Sequence, residues 1–531
     1  MASNYRIEVE VEIVKCDDEE NTTPIQQGDG RFTCVLTEAQ AVCIDTCEQA
    51  VLATDSVAVR DALGRHFSAS SLERVQAFTE SPDEVHVEPY RVDGEAGRIT
   101  FDAHCVERDG AVVYDTTKEM FAPLGPKEWY RTQGFKELAF VYGVVDDSYR
   151  KISALINRVR HQEQDGTPLR TLWDNAEAEG QQLQSHVEQL AAATLEEHAF
   201  TPEGAPSEVA AYQNQAMVTL PAEQVSAAIH ECAPQPEWVA EMESNPVAYE
   251  YPAHSVSVAI DDVGVKQQKA PRERPSTATP ELPAPATVTL TEVATAEDLS
   301  TATPEPPAPE EKKRVHHTVA RVAQGASAYI LTGQGVANVL RLVVAFLLHN
   351  HLLQHNLIFF ADGQRSLHTA VLRVFAWFKP IQIILDWYHL MEKCKQQLSL
   401  ALKGRAIRNQ VLAALRPLLW HGCVDRAIST LRAIPADQIK NQKALDDSIG
   451  YLERNRPHIP CYSVRKKLGL RNSSQAGEKA NDLVVSSRQK HNGMSWRLRG
   501  SAALAAITTM VKNREHRGWF RDQSLAFSFA A

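Results

Sequence analysis

The sequence contains no long, uninterrupted apolar run. Its longest apolar stretch, residues 340–353, is broken by Arg341, His349, Asn350 and His351, and it is shorter than the roughly 20 residues that a membrane-spanning helix requires. The first residues alternate apolar and acidic side chains, whereas a secretory signal peptide begins with basic residues followed by an apolar segment. We therefore expect no membrane span and no export.

Cysteine pairs with metal-ligand spacing are also missing. The nine cysteines are an odd number, are scattered along the chain and do not form two closely spaced pairs. A disulfide framework or a cysteine zinc site would need such pairs. The cysteine content is therefore typical of a protein of the reducing cytoplasm.

The formal net charge of −12 conceals a strong asymmetry along the chain. Residues 311–531 contain 33 Lys and Arg against 13 Asp and Glu, or +20, which leaves 22 against 54, or −32, for residues 1–310. A net charge of +20 attracts polyanions, and nucleic acid is the commonest polyanion that binds such a surface. A basic face that is only solvated is the alternative.

With 531 residues the chain is too long for one hydrophobic core, and about three domains are expected from typical domain sizes. Residues 1–125 have the pattern of a small α+β domain. Two strands are predicted at 5–14 and 31–36, and two short helices at 57–68 and 71–79.

Residues 126–252 are predicted to be mainly helical. A helix at 149–162, an Asp165-Gly166 turn and a second helix from about 169 towards 190 give the outline of a helix-turn-helix. An ordinary helical hairpin has the same signals, so both interpretations remain open.

Residues 267–314 are dominated by Pro, Ala, Thr and Glu and include an imperfect internal duplication. This composition cannot bury a core, so we predict a disordered linker. On either side of it, strands are predicted at 254–262, 315–324 and 326–331, followed by an apolar helix at 335–354.

Three predicted strands end on acidic residues. The apolar run 356–361 ends on Asp362, a helix follows, and the run 380–385 ends on Asp386; the strand before the linker ends on Asp261 and Asp262. Ligands of α/β sheets collect at the carboxyl ends of parallel strands, so these carboxylates are expected to meet at one edge. Asp at a strand end is also common in turns and helix caps, which is the alternative for each residue alone.

A later helix supplies a further acid. Ser473 and Ser474 are plausible N-caps, and they place Glu478 in the first turns of a helix, with Asn481 three residues further on the same face. Between Asp386 and this helix, residues 391–470 show helical periodicity and no convincing strand. Two-metal phosphodiester chemistry needs carboxylates that converge from separate elements, because hard ions prefer oxygen ligands.

These motifs resemble those of DDE transposases of the mutator-like insertion-sequence type. The resemblance covers about residues 254–515 and is carried by Ala-Ile-Asp261-Asp, Phe-Phe-Ala-Asp362-Gly, Asp386-Trp-Tyr-His389, the helical insertion, and Gly-Glu478-Lys-Ala-Asn481. It implies an α/β fold with an RNase H-like mixed-sheet core and an all-helical insertion, here preceded by an α+β and helical N-terminal half. The expected regions are 1–125, 126–252, a core of 253–266 and 315–390, the linker 267–314, the insertion 391–470, and a C-terminal part of the core, 471–531.

The resemblance also implies roles for individual residues. Asp261, Asp362 and Glu478 would hold Mg²⁺ or Mn²⁺ and catalyse strand cleavage and transfer, with Asp262 as an alternative first ligand. Asp386, His389 and Asn481 would support the site. The DNA-contacting residues are predicted from the basic sequence around Glu478: Arg465, Lys466, Lys467, Arg471, Lys479, Arg488 and Lys490.

The expected partners are transposon-end and target DNA, with a homodimer or higher oligomer formed on the DNA and no membrane. Two other functions remain open. One is a nuclease of the RNase H fold that does not transpose, and the other is a catalytically silent DNA-binding protein derived from a transposase. The intact acids disfavour the silent protein.

Overall fold

The computed structural model of this chain describes residues 4–10, 14–18, 21–24, 31–37, 44–121, 130–141, 148–162, 167–269, 313–490 and 494–530. Most of the predicted linker and the Asp165-Gly166 turn lie outside these residues. The fold is mixed α/β, and none of the described helices combines the length and the apolarity needed to span a membrane.

The N-terminal region has two small antiparallel pairs and one four-stranded sheet. Strands β1 and β4 pair, β2 and β3 pair, and the larger sheet has the order β7-β6-β5-β8. The elements of this region are β1 (Asn4–Glu10), β2 (Val14–Asp18), β3 (Asn21–Pro24), β4 (Arg31–Thr37), α1 (Ile44–Phe78), β5 (Val85–Gly94), β6 (Gly97–Arg108), β7 (Ala111–Asp115), α2 (Thr117–Met120), β8 (Tyr130–Arg131) and α3 (Gln133–Ala139).

Helix α1 corrects one sequence expectation, because it is continuous where two short helices were predicted. Two serines at the facing ends of the predicted helices contact strand β6. Ser68 accepts a hydrogen bond from the backbone N–H of Asp102 at 2.9 Å, and Ser71 accepts one from that of His104 at 2.7 Å. The hydroxyls therefore bond a neighbouring strand and leave the helical hydrogen bonds intact.

Helices dominate the next region. They are α4 (Tyr149–Val159), α5 (Leu169–Glu197), α6 (Ala210–Gln213), α7 (Ala222–Cys232) and α8 (Val239–Glu243). The long helix α5 buries Leu172, Ala176 and Leu183 in one hydrophobic core and Ala191 and Leu195 in another. Both cores are shared with the sheet that follows, so α5 is an integral part of that sheet's packing.

A five-stranded sheet forms the centre of the C-terminal half. Its strand order is β11-β10-β9-β12-β13; β9, β12 and β13 run parallel, and β10 is antiparallel to both of its neighbours. The elements are β9 (Ser255–Lys266), β10 (Arg314–Gln324), β11 (Ser327–Gly333), α9 (Val336–His349), β12 (Asn356–Ala361), α10 (Arg365–Val374) and β13 (Ile381–Leu385). Their bounds lie within a few residues of the predicted ones because the apolar runs are long and bounded by turn residues.

The segment after β13 is helical throughout and has a core of its own. This insertion contains α11 (Trp387–Ala401), α12 (Arg405–Trp420), α13 (Val424–Arg432), α14 (Gln442–Asn455) and α15 (Tyr462–Lys467). Its core is built around Leu390, Leu398, Leu415, Leu431 and Leu452. The chain then returns to the sheet with α16 (Gln475–Asn481), a π-helical segment (Asp482–Lys490), α17 (Leu498–Lys512) and α18 (His516–Asp522).

Candidate functional site

Three acids lie side by side at the level where β12 and β13 end. The prediction that the strand before the linker ends on its acids was wrong, because β9 continues past Asp261 and Asp262 to Lys266. Phe360 of β12 pairs with Ala259 of β9, and Asp362 and Asp261 each lie two residues beyond this pair. On the other side of β12, Ala361 pairs with Leu385, and the N–H of Asp386 donates to the carbonyl of Ala361 at 2.9 Å. The register therefore aligns Asp261, Asp362 and Asp386 in one row.

The structure distinguishes between Asp261 and Asp262, which the sequence could not separate. Successive side chains of a strand point to opposite faces. Asp261 lies on the face of β9 that α16 covers, and the Asn481 amide donates to its carboxylate at 2.6 Å. Asp262 is exposed on the other face and accepts a hydrogen bond from the hydroxyl of Thr318. Only Asp261 is therefore held next to the helix that carries Glu478.

Helix α16 approaches β9 closely because of Gly477. A Cβ at this position would lie 2.8 Å from the Cβ of Ala259, closer than such atoms approach in proteins. The missing side chain therefore lets α16 lie directly on the strand. In consequence Glu478 and Asn481, one residue and four residues after this glycine, reach the end of the sheet.

His389 links the acids of the sheet edge to Glu478. Its Nδ1 lies 3.0 Å from Oδ1 of Asp386 and 3.7 Å from Oε1 of Glu478. The predicted supporting pair of Asp386 and His389 is therefore in direct contact. Asp386 is also the N-cap of α11, because its carboxylate accepts the backbone N–H of His389 at 2.9 Å, and its other oxygen accepts the N–H of Ser474 at 2.8 Å.

The ionisation of these groups is coupled. Burial raises the pKa of Asp261 and the nearby charge of Asp362 raises it further, while the Asn481 hydrogen bond and His389 oppose the shift. The hydrogen bond to Asp386 raises the pKa of His389, with contributions from Glu478 and Asp362. Burial disfavours the charged form of Asp386, but hydrogen bonds from His389 and Ser474 outweigh it and lower the pKa. The site therefore favours an imidazolium among several carboxylates.

The tightest group of potential metal ligands is not the predicted triad. In the part of the chain that the structure describes, one set of three ligand atoms lies within 4.8 Å of one another, on Asp386, His389 and Glu478. Asp386 is fully buried, and both of its oxygens already accept N–H groups. This leaves Asp386 better suited to orienting His389 than to coordinating an ion.

Asp261, Asp362 and Glu478 have the chemistry of a site for a hard cation. Each offers carboxylate oxygens, the ligands that Mg²⁺ and Mn²⁺ prefer. The side-chain oxygen of Asn481 is buried beside Asp261 and has no hydrogen-bond partner among the residues described. A buried polar atom without a partner is costly. In the described residues, however, the carboxylate oxygens of Asp261, Asp362 and Glu478 do not all lie within 4.8 Å of one another, and the Glu478 side chain is 48 % exposed. The chemistry of the donor set suits a divalent ion, but the three acids do not form a closed ligand cluster in this conformation.

The predicted DNA-contacting residues divide into exposed and buried ones. Lys466, Lys467, Arg471, Lys479 and Lys490 are exposed. Lys467 forms an ion pair with Glu231, and Lys479 forms one with Asp482 at 3.6 Å. These five remain available to a ligand at the surface.

Arg465 and Arg488 correct the prediction. Arg465 is fully buried, and its guanidinium donates to both carboxylate oxygens of Glu250 at 2.6 and 2.7 Å. Arg488 is 2 % exposed and lies over the rings of Tyr149 and Trp496. Both guanidiniums stabilise the interior, so neither contacts a phosphate in this conformation.

Several residues near the acids gave no sequence signal. A cavity of about 290 Å³ beside Asp362 and His389 is also lined by Gln364, Glu392, Lys393, Gln396 and Tyr451. Most of these side chains come from the helical insertion, where helical periodicity indicates packing but not which face meets the sheet.

The chain was compared with protein-family models, with curated proteins and with solved structures. None of the three comparisons found a match.

Proposed function

We propose that this chain is a metal-dependent DNA transposase with an RNase H-like catalytic core, in which Asp261, Asp362 and Glu478 are the catalytic residues. The observation that carries the proposal is the alignment of Asp261 and Asp362 on adjacent parallel strands, with the helix of Glu478 packed on the same face. The sheet supports it further. Its third, second, first, fourth and fifth strands lie side by side, which agrees with the strand order of the RNase H fold.

Each residue has a distinct part in this proposal. Asp261, Asp362 and Glu478 would hold the ions, with Asn481 orienting Asp261. When bound, the ions would activate the attacking oxygen and stabilise the leaving oxygen of a phosphodiester. His389, oriented by Asp386, reduces the repulsion between the carboxylates before a cation binds.

The charge distribution supports DNA as the substrate. The exposed cations Lys466, Arg471, Lys479 and Lys490 all lie within 25 residues of sequence around the helix of Glu478. Phosphate contacts of this kind position a duplex without reading its sequence. We expect affinity for DNA to fall steeply with salt, because binding releases counterions.

The test is a cleavage and strand-transfer assay with Mg²⁺ on DNA that carries the ends of the element, with the products sequenced. Asp362→Asn should reduce cleavage by roughly a thousandfold or more, because metal ions supply several kcal/mol of transition-state stabilisation. Asp262→Asn is the matched control, since this neighbouring acid lies on the opposite face, and it should retain near-wild-type activity. Wild-type cleavage by Asp362→Asn would refute the proposal.

The same assay separates the two other functions. Free nicks without joined ends would identify a nuclease, because strand transfer leaves a covalent joint with target DNA. Salt-sensitive DNA binding without any metal-dependent cleavage would identify a silent DNA-binding protein.

A further inference from the structure

A cavity next to the acids contains a polar group without a partner. Tyr451 of α14 is 6 % exposed, and its hydroxyl has no hydrogen-bond partner among the residues that the structure describes. Tyr451 lines the cavity of about 290 Å³ together with Asp362, Gly363 and His389. A hydroxyl that is buried without a partner costs roughly 1 to 3 kcal/mol, and phenylalanine would fill the same space without that cost.

Gly363 shows how closely the tyrosine approaches the turn after β12. This glycine has φ +82°, and a Cβ there would lie 2.6 Å from the hydroxyl oxygen of Tyr451. Any other residue would therefore cover the hydroxyl as well as strain the backbone. Burial raises the pKa of Tyr451 and the charge of Asp362 adds to this shift, so the hydroxyl stays protonated and can donate.

The lining of the cavity also includes a cation. Lys393 of α11 is exposed and has no ion-pair partner within the described ranges. Its neighbour Glu392 is turned towards Lys395 at 3.2 Å and Gln396 at 3.4 Å. Gln364 and Gln396 add neutral amides to the lining. The donors available to a ligand are thus an ammonium, a phenolic hydroxyl and two amides.

The size of the cavity restricts the ligand. A volume of about 290 Å³ lies at the lower end of the range for small-molecule sites, roughly 300 to 1,000 Å³. It admits one phosphate group with its attached sugar but not a base-paired duplex. The carboxylates of Asp362 and Glu392 in the wall disfavour a freely diffusing anion, so a phosphate tethered within a longer strand is the better ligand.

We propose that this cavity is a phosphate subsite for the DNA strand that is cut, in which the Tyr451 hydroxyl and the Lys393 ammonium donate to a backbone phosphate next to the scissile one. The inference rests on the proposed function. It assigns to the helical insertion a direct contact with substrate in addition to its packing role.

The experiment uses the full chain and a short fluorescein-labelled oligothymidylate, with affinity measured by anisotropy. The measurements are made in the Glu478→Gln background, which by the proposed function binds strands without cutting them. Tyr451→Phe should weaken binding by about tenfold or more, the usual effect of losing a hydrogen bond to a charged group. Lys393→Gln should weaken binding and reduce the slope of log affinity against log salt by roughly one.

Matched controls lie on the same helices. Tyr388→Phe on α11 removes a hydroxyl from a side chain that is 70 % exposed, and Lys443→Gln on α14 removes an exposed ammonium away from the cavity. Neither control should change affinity at constant salt by more than about twofold. Unfolding in urea gives a second readout, because Tyr451→Phe removes an unpartnered hydroxyl and should unfold at an equal or higher urea concentration.

Replacing single phosphates by neutral methylphosphonates distinguishes a backbone phosphate from a free one. In the Glu478→Gln background, one substituted position should lower the affinity of the protein that retains Tyr451 but not the affinity of the Tyr451→Phe variant. If free inorganic phosphate lowered the affinity for the oligonucleotide as much as the methylphosphonate substitution does, the assignment to a backbone phosphate would be overturned. Unchanged affinity in both Tyr451→Phe and Lys393→Gln would overturn the subsite. A loss of cleavage by the same two variants with Glu478 intact, without a loss of affinity, would overturn it too.

Failure of the proposed function has a different signature. In that case wild-type protein would show no metal-dependent cleavage, while the affinity differences among the variants would still decide whether the cavity binds a strand. Wild-type cleavage together with unaltered binding and cleavage by both variants would leave the proposed function intact and remove the subsite alone.

Discussion

The buried Glu250–Arg465 pair and the acid-rich edge of the sheet differ in how their carboxylates are neutralised. Both oxygens of Glu250 accept hydrogen bonds from Arg465, and neither side chain is more than 6 % exposed. At the edge, the carboxylates of Asp261, Asp362 and Glu478 accept hydrogen bonds from neutral groups, namely the Asn481 amide, the backbone N–H of Gln364 and the Ser474 hydroxyl. The imidazole of His389 lies 3.7 Å from Glu478. In the first arrangement each charge is neutralised by its partner, and the pair serves stability. In the second, negative side chains outnumber positive ones, which is the basis of the metal site proposed above.

The largest change in the free energy of unfolding is expected when the Glu250–Arg465 pair is broken. Arg465→Met leaves the Glu250 carboxylate buried without its counter-charge, and removing one partner of such a pair typically costs about 3 to 5 kcal/mol. The free energy of unfolding from urea titrations measures the loss. The double variant with Glu250→Gln should recover part of it. An Arg465→Met protein as stable as wild type would show that the pair does not carry the stability assigned to it.

The second prediction concerns the pH dependence of stability that arises from His317, a buried imidazole that stays neutral. Burial, with a smaller contribution from His316, lowers the pKa of His317 to about 4, and its Nε2 lies 2.7 Å from the hydroxyl of Ser501. In the unfolded chain the His317 imidazole binds a proton near pH 6.5, whereas in the folded protein it stays neutral down to about pH 4. The contribution of neutral His317 to the free energy of unfolding is therefore fully present above pH 6.5. It is lost as the pH falls towards 4 and amounts to about 3 kcal/mol.

Urea titrations of wild type and His317→Gln between pH 7 and pH 4 isolate this contribution. The glutamine keeps a side-chain N–H for Ser501 but does not titrate, so its stability should fall less over that interval. Parallel curves for the two proteins would contradict the assignment.

The third prediction is that a divalent cation stabilises the folded protein by binding at the acid-rich edge. Mg²⁺ or Mn²⁺ should stabilise the wild-type protein by about 2 to 3 kcal/mol at a concentration a hundred times its dissociation constant, because only the folded state assembles the ligands. Thermal unfolding with and without the ion measures the shift. Asp362→Asn should remove most of it, and an equal shift in this variant would locate the binding elsewhere.

The smallest effect is a gain in stability. Burial and the charge of Asp362 raise the pKa of Asp261, so the neutral Asp261→Asn should be equally stable or more stable by up to about 1 kcal/mol at pH 7, while losing activity. Asp262→Asn, on the exposed face, should change stability by less than about 0.5 kcal/mol. A clear destabilisation by Asp261→Asn would show that this acid has a structural role instead.

Local sequence patterns predicted much of the five-stranded sheet. The run that became β12 was predicted with the same bounds, since a short apolar segment followed by Asp362-Gly363 is both a strand and a turn signal. The same pattern predicted that Asp362 and Asp386 follow the ends of their strands, whereas β9 continues past Asp261 to Lys266. Gly477 explains why Glu478 reaches this edge, but its contact with Ala259 joins residues more than 200 positions apart and leaves no local signal.

The failures have a common physical origin in long-range packing. The two short helices predicted within α1 are one continuous helix, and its Ser68 and Ser71 bond to strand β6, which is distant in sequence. Arg465 and Arg488 belong to a basic stretch whose inner and outer faces are set by the elements packed against it, and sequence composition alone does not distinguish these faces.

Helix α5 determines where the chain can be cut without loss of the sheet. Gly180 lies so close to α17 that a Cβ there would clash with the backbone of Ala503. Leu183 and Leu195 are buried in the two cores that flank the sheet. A fragment starting at residue 253, where the sequence motifs begin, would expose these apolar surfaces to water. Such a fragment should aggregate during expression, and the shortest soluble piece should start before residue 169.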